Sequence, residues 1–329
     1  INRIFYTICG STAVETAIKI SIAYHRAKGD SKRFRFVGRE RGYHGMNIGA
    51  TTVGGMINNV KTFASVLMPG VQHMRHTHLP EHKFVKGQPE TGVEMAEDLE
   101  RIAMNFGGEN IAACIVEPIA GSTGTLVPPK GYLKRLREIC NKHGILLIFD
   151  EVITGWGRTG SAFAAQEWNV TPDIMTMAKA TTNGVVPMGV VAVKEEIYDA
   201  VLDSSSAPEG TPELFHGYTY SGIPVAVAAA LATQDIFDKE DIFKRAKEMS
   251  PYFQNGLHSL KDLKEVVSIR GYGMMGGIEM RMKEKPGKSG FQTFKHCYDA
   301  GVNFKNTGDT LIIAPQFICE KKHIDEIID

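Results

Sequence analysis

The chain has 329 residues, of which 43% are hydrophobic and 22% charged, so it can hold one large domain or two smaller ones with a packed core. Lysine and arginine together number 37, as do aspartate and glutamate, and this balance argues against broad electrostatic binding to nucleic acid or to an anionic membrane. No stretch approaches the roughly 18 consecutive apolar residues of a membrane-spanning helix.

The predicted elements alternate between helices and short apolar strands along the first two thirds of the chain. Predicted helices cover residues 11–27, 94–105, 131–143 and 224–237, and predicted strands cover 34–37, 111–116, 145–149 and 173–177, with a further strand pair in 185–193. Short strands separated by helices are typical of a mostly parallel sheet with helices on both faces. We therefore predict an α/β fold for this part of the chain.

The pattern changes after residue 238. The predicted elements there are a helix at 243–260, strands at 266–269 and 277–280, a helix at 290–300 and a strand at 310–314. This order indicates an α+β unit with antiparallel strands. We therefore predict a large domain at 1–237 and a small C-terminal domain at 238–329.

The cysteines and the first residue bear on where the protein is found. The five cysteines are scattered and form no CxxC pair, which favours a free-thiol protein of the cytoplasm. The chain begins with Ile1 rather than Met, close to a glycine turn. We therefore expect a fragment or a processed chain, and the lack of a leader carries little weight.

A buried strand at 145–149 ends in a carboxylate, Asp150. Ligands of open α/β sheets bind beyond the carboxyl ends of the strands, and a buried charge needs a partner, so a cationic ligand group is one interpretation. The alternative is a carboxylate that caps the next loop or helix.

The next predicted strand, at 173–177, is followed by Lys179. A lysine at a buried strand end is a candidate amine nucleophile, because desolvation favours its neutral form, although most lysines are solvated surface residues. Asp150 and Lys179 at the same ends of two strands strengthen the functional interpretation. Pyridoxal phosphate needs this pair, a Schiff-base lysine and a carboxylate facing the pyridinium nitrogen.

A glycine turn, Cys9-Gly10-Ser11-Thr12, comes directly before the first predicted helix. Free backbone N–H groups and the positive end of the helix dipole would meet there, which suits the phosphate of such a cofactor. The alternative is an ordinary capped helix.

Several motifs together resemble the class III, fold type I, pyridoxal-phosphate-dependent aminotransferases. They are CGSTAVETA, GRERGYHG, VEPIAGSTG, FDEVITGWGRTG, PDIMTMAKATTNG, HGYTYSG and GDTLIIAP, and they follow the order of the family over nearly the whole chain. Among subfamilies the chain is most similar to the ω-amino acid:pyruvate, or β-alanine:pyruvate, aminotransferases.

The resemblance implies a role for each matching residue. Lys179 would bind the cofactor and carry the substrate proton, and Asp150 would pair with the pyridine nitrogen. Val152 and Tyr43 would pack on the two faces of the ring, and Glu117 would support Asp150. Cofactor phosphate would be bound by Gly10 and Ser11, and by Tyr218 and Thr219 of a neighbouring subunit, so the resemblance implies a homodimer or homotetramer.

Four features depart from the family pattern. Lys305 stands where the family has a substrate-carboxylate arginine, which keeps the charge but loses the bidentate fork. Ile223 replaces a usual histidine, and Trp156 replaces a usual phenylalanine. Family members also carry a sizeable segment before the position of Ile1, which supplies pocket and dimer contacts.

Three other patterns are interpreted as structural. Residues 271–276 match GxGxxG, but that fingerprint opens a helix, whereas 277–280 has the pattern of a strand. Four histidines between residues 73 and 82 have no cysteine and no helical frame, so we predict no metal site. Four methionines between residues 274 and 282 indicate core and hairpin packing.

The leading hypothesis is transamination from an ω-amino acid or related amine to pyruvate or a similar oxo acid, with pyridoxal 5'-phosphate as cofactor. The first alternative is another class III activity, with a different amine donor or as a semialdehyde aminomutase. The second alternative is a non-catalytic, dimerising fragment of such an enzyme. The sequence barely separates the two enzymatic interpretations, since donor choice depends on pocket side chains.

Overall fold

The computed structural model describes residues 1–204 and 214–329, and its larger sheet has seven strands in the order β1-β7-β6-β5-β4-β2-β3. The strands are β1 (Arg3–Thr7), β2 (Arg35–Arg39), β3 (Val71–Met74), β4 (Ile111–Val116), β5 (Leu146–Asp150), β6 (Ile174–Met177) and β7 (Gly189–Val193). Strands β3, β2, β4, β5 and β6 are parallel, β7 runs antiparallel to β6, and β1 runs antiparallel to β7. The predicted mostly parallel α/β sheet is confirmed.

Helices cover both faces of this sheet. They are α1 (Gly10–Ala27), α2 (Ile48–Val53), α3 (Ile57–Thr62), α4 (Glu97–Phe106), α5 (Tyr132–His143), α6 (Ala164–Glu167), α7 (Glu195–Asp203) and α8 (Pro224–Lys239). Alternate residues of β5 point to opposite faces, so Leu147 and Phe149 pack with α4 and α5, whereas Leu146 and Ile148 pack with α1. Burial on both faces explains why the sequence of this strand is continuously apolar.

A second sheet, of four antiparallel strands in the order β10-β11-β9-β8, follows in the chain. Its elements are α9 (Ile242–Ser259), β8 (Val266–Tyr272), β9 (Met275–Met280), α10 (Lys288–Asp299), β10 (Lys305–Thr307), β11 (Thr310–Ile313) and α11 (Lys321–Ile328). It has its own apolar core around Phe253, Ile269 and Ile278. The change from a mostly parallel to an antiparallel sheet agrees with the predicted pattern, while the domain boundary near residue 238 stays a prediction.

Local predictions differ from the structure in several places. The predicted strand pair at 185–193 is a single strand, β7, because residues 185–188, which include Pro187, form a bend and a loop. The short edge strands β1 and β3 were not predicted, since β1 lies at the start of the chain and β3 contains polar residues. Met282 is 58% exposed, so its interpretation as a packing residue is wrong.

The GxGxxG match lies in the hairpin between β8 and β9, where Gly273 adopts a left-handed φ of 58°. This confirms the strand interpretation of the segment. Among the described residues, none of the helices combines the length and the apolar composition that crossing a bilayer requires.

Candidate active site

The carboxyl ends of the parallel strands meet at a cavity of about 820 Å³. Ligand cavities of enzymes commonly have this size, and they lie at this edge of open α/β sheets. Eight of the predicted site residues line it: Gly10, Ser11, Tyr43, Glu117, Asp150, Val152, Lys179 and Lys305. The fold therefore brings together side chains that lie as far apart as residues 10 and 305.

Asp150 ends β5 and is buried at the floor of the cavity. Its Oδ2 accepts a hydrogen bond from His44 Nδ1–H at 2.8 Å, and its Oδ1 accepts one from the Val152 N–H at 3.1 Å. Within residues 1–204 and 214–329, no lysine or arginine forms an ion pair with it. A buried carboxylate of this kind suits a cationic group of a ligand.

His44 is a site residue that the sequence interpretation missed. Its ring is buried, and its Nε2 has no hydrogen-bond partner in the described part of the chain. His44 directly follows Tyr43 in the GRERGYHG motif, which is the signal that could have found it. The histidine fixes the orientation of the Asp150 carboxylate from the side.

Glu117 follows β4 and joins two loops of the cavity wall. Its Oε1 accepts from the Tyr43 N–H at 2.8 Å, and its Oε2 accepts from the Gly121 N–H at 2.9 Å. Burial raises the pKa of Glu117, and the nearby Asp150 adds to the effect, whereas His44 and these two N–H groups oppose it. The carboxyl group thus holds the Tyr43 backbone in place.

Helix α1 begins at the cavity with Gly10 and Ser11. The first helical hydrogen bond is made by the Ala13 N–H to the Cys9 carbonyl, and the Cys9 N–H donates to the Thr12 hydroxyl at 3.0 Å. The N–H groups of Gly10 and Ser11 have no partner among the described residues, so they are available to an anion. The Ser11 hydroxyl oxygen accepts from the Met46 N–H at 3.2 Å. A side chain at Gly45 (φ 115°) would come within 2.4 Å of that oxygen, so only glycine fits there.

Lys179 comes two residues after β6 and has a left-handed φ of 46°. Its carbonyl accepts from the Gly184 N–H at 3.0 Å, which closes a tight turn that directs the side chain into the cavity. Burial among the cavity walls lowers the pKa of Lys179; Asp150 and Glu117 oppose this, and Lys305 adds to it. The net shift makes the neutral, nucleophilic form of Lys179 easier to reach than that of an ordinary lysine.

The opposite wall of the cavity comes from the second sheet and is mainly apolar. Lys305 at the start of β10 is its charged member, next to the side chains of Phe304, Ile312, Ile313, Pro315 and Met275. Arg158 holds this wall from behind, since its Nη1 donates to the carbonyls of Met274 at 2.9 Å and Pro315 at 2.7 Å.

Tyr218 and Thr219 are not among the described residues that line the cavity. The Tyr218 ring packs edge-on against His216, whose Nε2 lies 2.7 Å from the Thr16 hydroxyl of α1. Thr219 is exposed. The structure therefore places these two residues away from the cavity of their own chain.

The arrangement fits pyridoxal phosphate. Asp150 offers a carboxylate without a lysine or arginine partner among the described residues, Lys179 offers an amine of lowered pKa, and α1 offers free N–H groups. Tyr43 and Val152 line the space between them. No group of three or more histidine, cysteine or carboxylate side chains in the described residues is placed to hold a metal ion.

Comparison with known proteins gives a family match over nearly the whole chain. Residues 2–329 match the family described as Aminotransferase class-III. The chain is 50% identical over 331 residues to an omega-aminotransferase of Caulobacter vibrioides, covering 100% of this chain and 74% of that protein. It is 43% identical over 335 residues to an omega-amino acid–pyruvate aminotransferase of Pseudomonas putida, covering 100% and 73%.

A solved structure with the same fold is an omega transaminase of Pseudomonas jessenii in complex with PMP. The TM-score is 0.93 at 29% identity, and the match covers 100% of this chain and 73% of that one. The fold that the motifs predicted is thereby confirmed.

The lowered pKa of Lys179 predicts how this residue reacts in cofactor-free protein. Acylation by acetic anhydride, followed by peptide mass spectrometry across pH, should give a midpoint for Lys179 below the ordinary lysine value of 10.5. Asp150→Asn should lower the midpoint further, because the Asp150 carboxylate opposes the shift. A midpoint at or above 10.5, or an upward shift in Asp150→Asn, would contradict these electrostatic effects.

Proposed function

The chain belongs to the class III aminotransferases, which depend on pyridoxal phosphate, and we propose that it moves an amino group from an ω-amino acid such as β-alanine, or a related amine, to pyruvate or a similar oxo acid. The observation that carries the proposal is that Asp150 and Lys179 follow two adjacent strands and line the same cavity. The relatives named above support the substrate class.

Each site residue has a proposed role in holding the cofactor. Pyridoxal phosphate, when bound, supplies the electron sink that makes the donor C–H bond acidic. Asp150 would pair with its ring nitrogen, with His44 and Glu117 supporting Asp150. Tyr43 and Val152 would contact the ring, and the N–H groups of Gly10 and Ser11 would bind the phosphate.

Lys179 has two proposed tasks. Its Nζ would hold the cofactor between turnovers, and with an amine substrate bound the same Nζ would take the proton from the donor carbon. Both tasks need a neutral amine, which agrees with the lowered pKa of Lys179. The apolar wall formed by Phe304, Ile312 and Met275 limits the access of water to that proton.

Lys305 is the proposed partner of the substrate carboxylate. Among the described residues that line the cavity, the basic side chains of the lysine and arginine type are Lys179 and Lys305. The acidic ones are Asp150 and Glu117, and both are buried. The wall around Lys305 thus offers a substrate a cation and no exposed carboxylate, which favours a donor with a carboxylate over a diamine. Lysine provides a point charge, whereas arginine donates two parallel hydrogen bonds to a carboxylate, so we expect Lys305 to bind the substrate carboxylate more weakly than an arginine would.

We also propose a homodimer, or a dimer of dimers, in which Tyr218 and Thr219 reach the phosphate of the partner's cofactor. Thr219 is exposed and lies outside its own cavity. Large apolar side chains in the turn after Lys179 and in the segment before Tyr218 are exposed as well, including Val185 at 76% and Phe215 at 85%. Exposed apolar surface of this kind is commonly covered by a second subunit.

A cytoplasmic location is a further proposal. All five cysteines are unpaired in the described part of the chain, which agrees with a reducing compartment.

Replacing Lys305 tests carboxylate recognition. Lys305→Met should raise the KM for β-alanine roughly 10- to 100-fold, because a charge-assisted hydrogen bond is lost. Lys305→Arg should keep or lower this KM, since the fork binds a carboxylate in two places. Steady-state kinetics with pyruvate as acceptor measures both.

An amine without a carboxylate, such as 1-phenylethylamine, is the matched control and should be affected less than about threefold by Lys305→Met, because it makes no charge-assisted bond to this side chain. Equal losses with both donors would mean that Lys305 supports the wall rather than the carboxylate. Turnover of putrescine above that of β-alanine by the wild type would contradict the proposed donor class.

Mixed dimers test the shared phosphate site. Lys179→Ala and Thr219→Ala, each inactive or weak as a homodimer, should together form a hybrid with one intact site, made of Lys179 from one chain and Thr219 from the other. Coexpression should therefore give hybrid dimers that each have up to half of the wild-type turnover. No recovery in isolated hybrids, or a monomer that holds the cofactor tightly in sedimentation, would rule out a shared site.

A further inference from the structure

We infer that Trp156 is a positioning residue for Lys179, because its indole N–H holds the turn that directs this lysine into the cavity. The inference rests on the proposed role of Lys179 as the amine that binds the cofactor and moves the proton. Its basis is a chain of hydrogen bonds that runs from Trp156 through Thr181 to the residue before Lys179.

The indole lies on the side of this turn that faces away from the cavity. Trp156 Nε1–H donates to Thr181 Oγ1 at 3.1 Å. The ring packs edge-on against Phe163 at 5.1 Å, and the backbone N–H of Trp156 donates to the Ala162 carbonyl at 2.6 Å. The indole donor is therefore held in place independently of Lys179.

Thr181 connects the indole to the backbone before Lys179. Its hydroxyl donates to the Ala178 carbonyl at 3.1 Å, and its backbone N–H donates to the same carbonyl at 3.0 Å. Thr181 is buried, so its hydroxyl uses protein partners rather than bulk water. The indole thus fixes the hydroxyl, and the hydroxyl fixes the peptide group that leads into Lys179.

Lys179 needs such support because its backbone is left-handed, with φ 46°. A lysine keeps this conformation only where its surroundings hold it. Behind the turn lies a second cavity of about 690 Å³, lined by Trp156, Thr181, Met177 and Met188 among others. Where a turn borders a cavity rather than tightly packed side chains, directed hydrogen bonds set its position.

The position of Lys179 matters more than the overall stability of the turn, because proton transfer needs the amine within hydrogen-bond reach of the reacting carbon. A loosened turn would still bind substrate through Lys305 and the apolar wall. The expected defect is therefore a lower kcat with an unchanged KM.

Trp156→Phe removes the indole N–H while keeping an aromatic ring in the same place. We expect kcat to fall about three- to tenfold, as for the loss of one hydrogen bond, with KM for the donor within about twofold of the wild type. In cofactor-free protein the acylation midpoint of Lys179 should move up towards 10.5, because a looser side chain is better solvated. That second readout does not depend on turnover.

Thr181 variants extend the test along the chain of hydrogen bonds. Thr181→Val should match Trp156→Phe, Thr181→Ser should retain wild-type kcat, and the double variant Trp156→Phe with Thr181→Val should be no worse than Thr181→Val alone. If Trp156→Phe does not fold, the comparison of Thr181→Val with Thr181→Ser still tests whether the hydrogen bonds of the Thr181 hydroxyl support kcat.

Trp168→Phe is the matched control. Trp168 is the second of two tryptophans in the chain, and its ring packs edge-on against Tyr272. This variant should leave kcat and the Lys179 midpoint unchanged. Wild-type kcat and an unshifted midpoint in fully loaded Trp156→Phe, or additive losses in the double variant, would overturn the inference.

The two proposals fail in different ways. A wild type that turns over no amine with any oxo acid would remove the proposed function. The shift of the Lys179 midpoint in Trp156→Phe, relative to Trp168→Phe, would still decide whether the indole positions the lysine.

Discussion

The buried carboxylate of Asp150 is the constraint on which the site depends. It ends a fully buried strand, and its observed partners are His44 and a backbone N–H rather than a lysine or arginine of the described residues. A buried carboxylate costs several kcal/mol unless a cation pairs with it, so a cationic ligand group would stabilise this position. We propose that the pyridinium nitrogen of the cofactor is that cation.

The rest of the cavity follows from the need to hold one ligand at several points. The parallel strands deliver Asp150 and Lys179 to the same edge, and the start of α1 adds a site for an anion. Glu117 brings a second carboxyl group close to Asp150. This carboxyl group accepts hydrogen bonds from the backbone N–H groups of Tyr43 and Gly121, and it thereby holds the Tyr43 loop in place. Burial lowers the pKa of Lys179, and the two nearby carboxyl groups, Asp150 and Glu117, oppose that shift.

Much of this could be predicted from the sequence, because strand ends and helix starts leave local signals. Asp150 and Lys179 follow apolar runs, and Gly10 precedes a helix. The missed features are those that depend on contacts between distant segments. The GRERGYHG motif could have marked His44 as a candidate, but the contact of His44 with Asp150 spans 106 residues and cannot be predicted from the motif alone. The left-handed backbone of Lys179 was also unpredictable, since that conformation is usual for glycine rather than lysine.

The most direct test of the pairing between Asp150 and the cofactor compares two ligands on two proteins. Dissociation constants for pyridoxal phosphate and for 1-deazapyridoxal phosphate, which lacks the ring nitrogen, should be measured by absorption titration with the wild type and with Asp150→Ala. We predict that the wild type prefers pyridoxal phosphate by roughly tenfold or more, as expected for a charge-assisted contact, and that Asp150→Ala loses this preference. The same preference in both proteins would contradict the pairing.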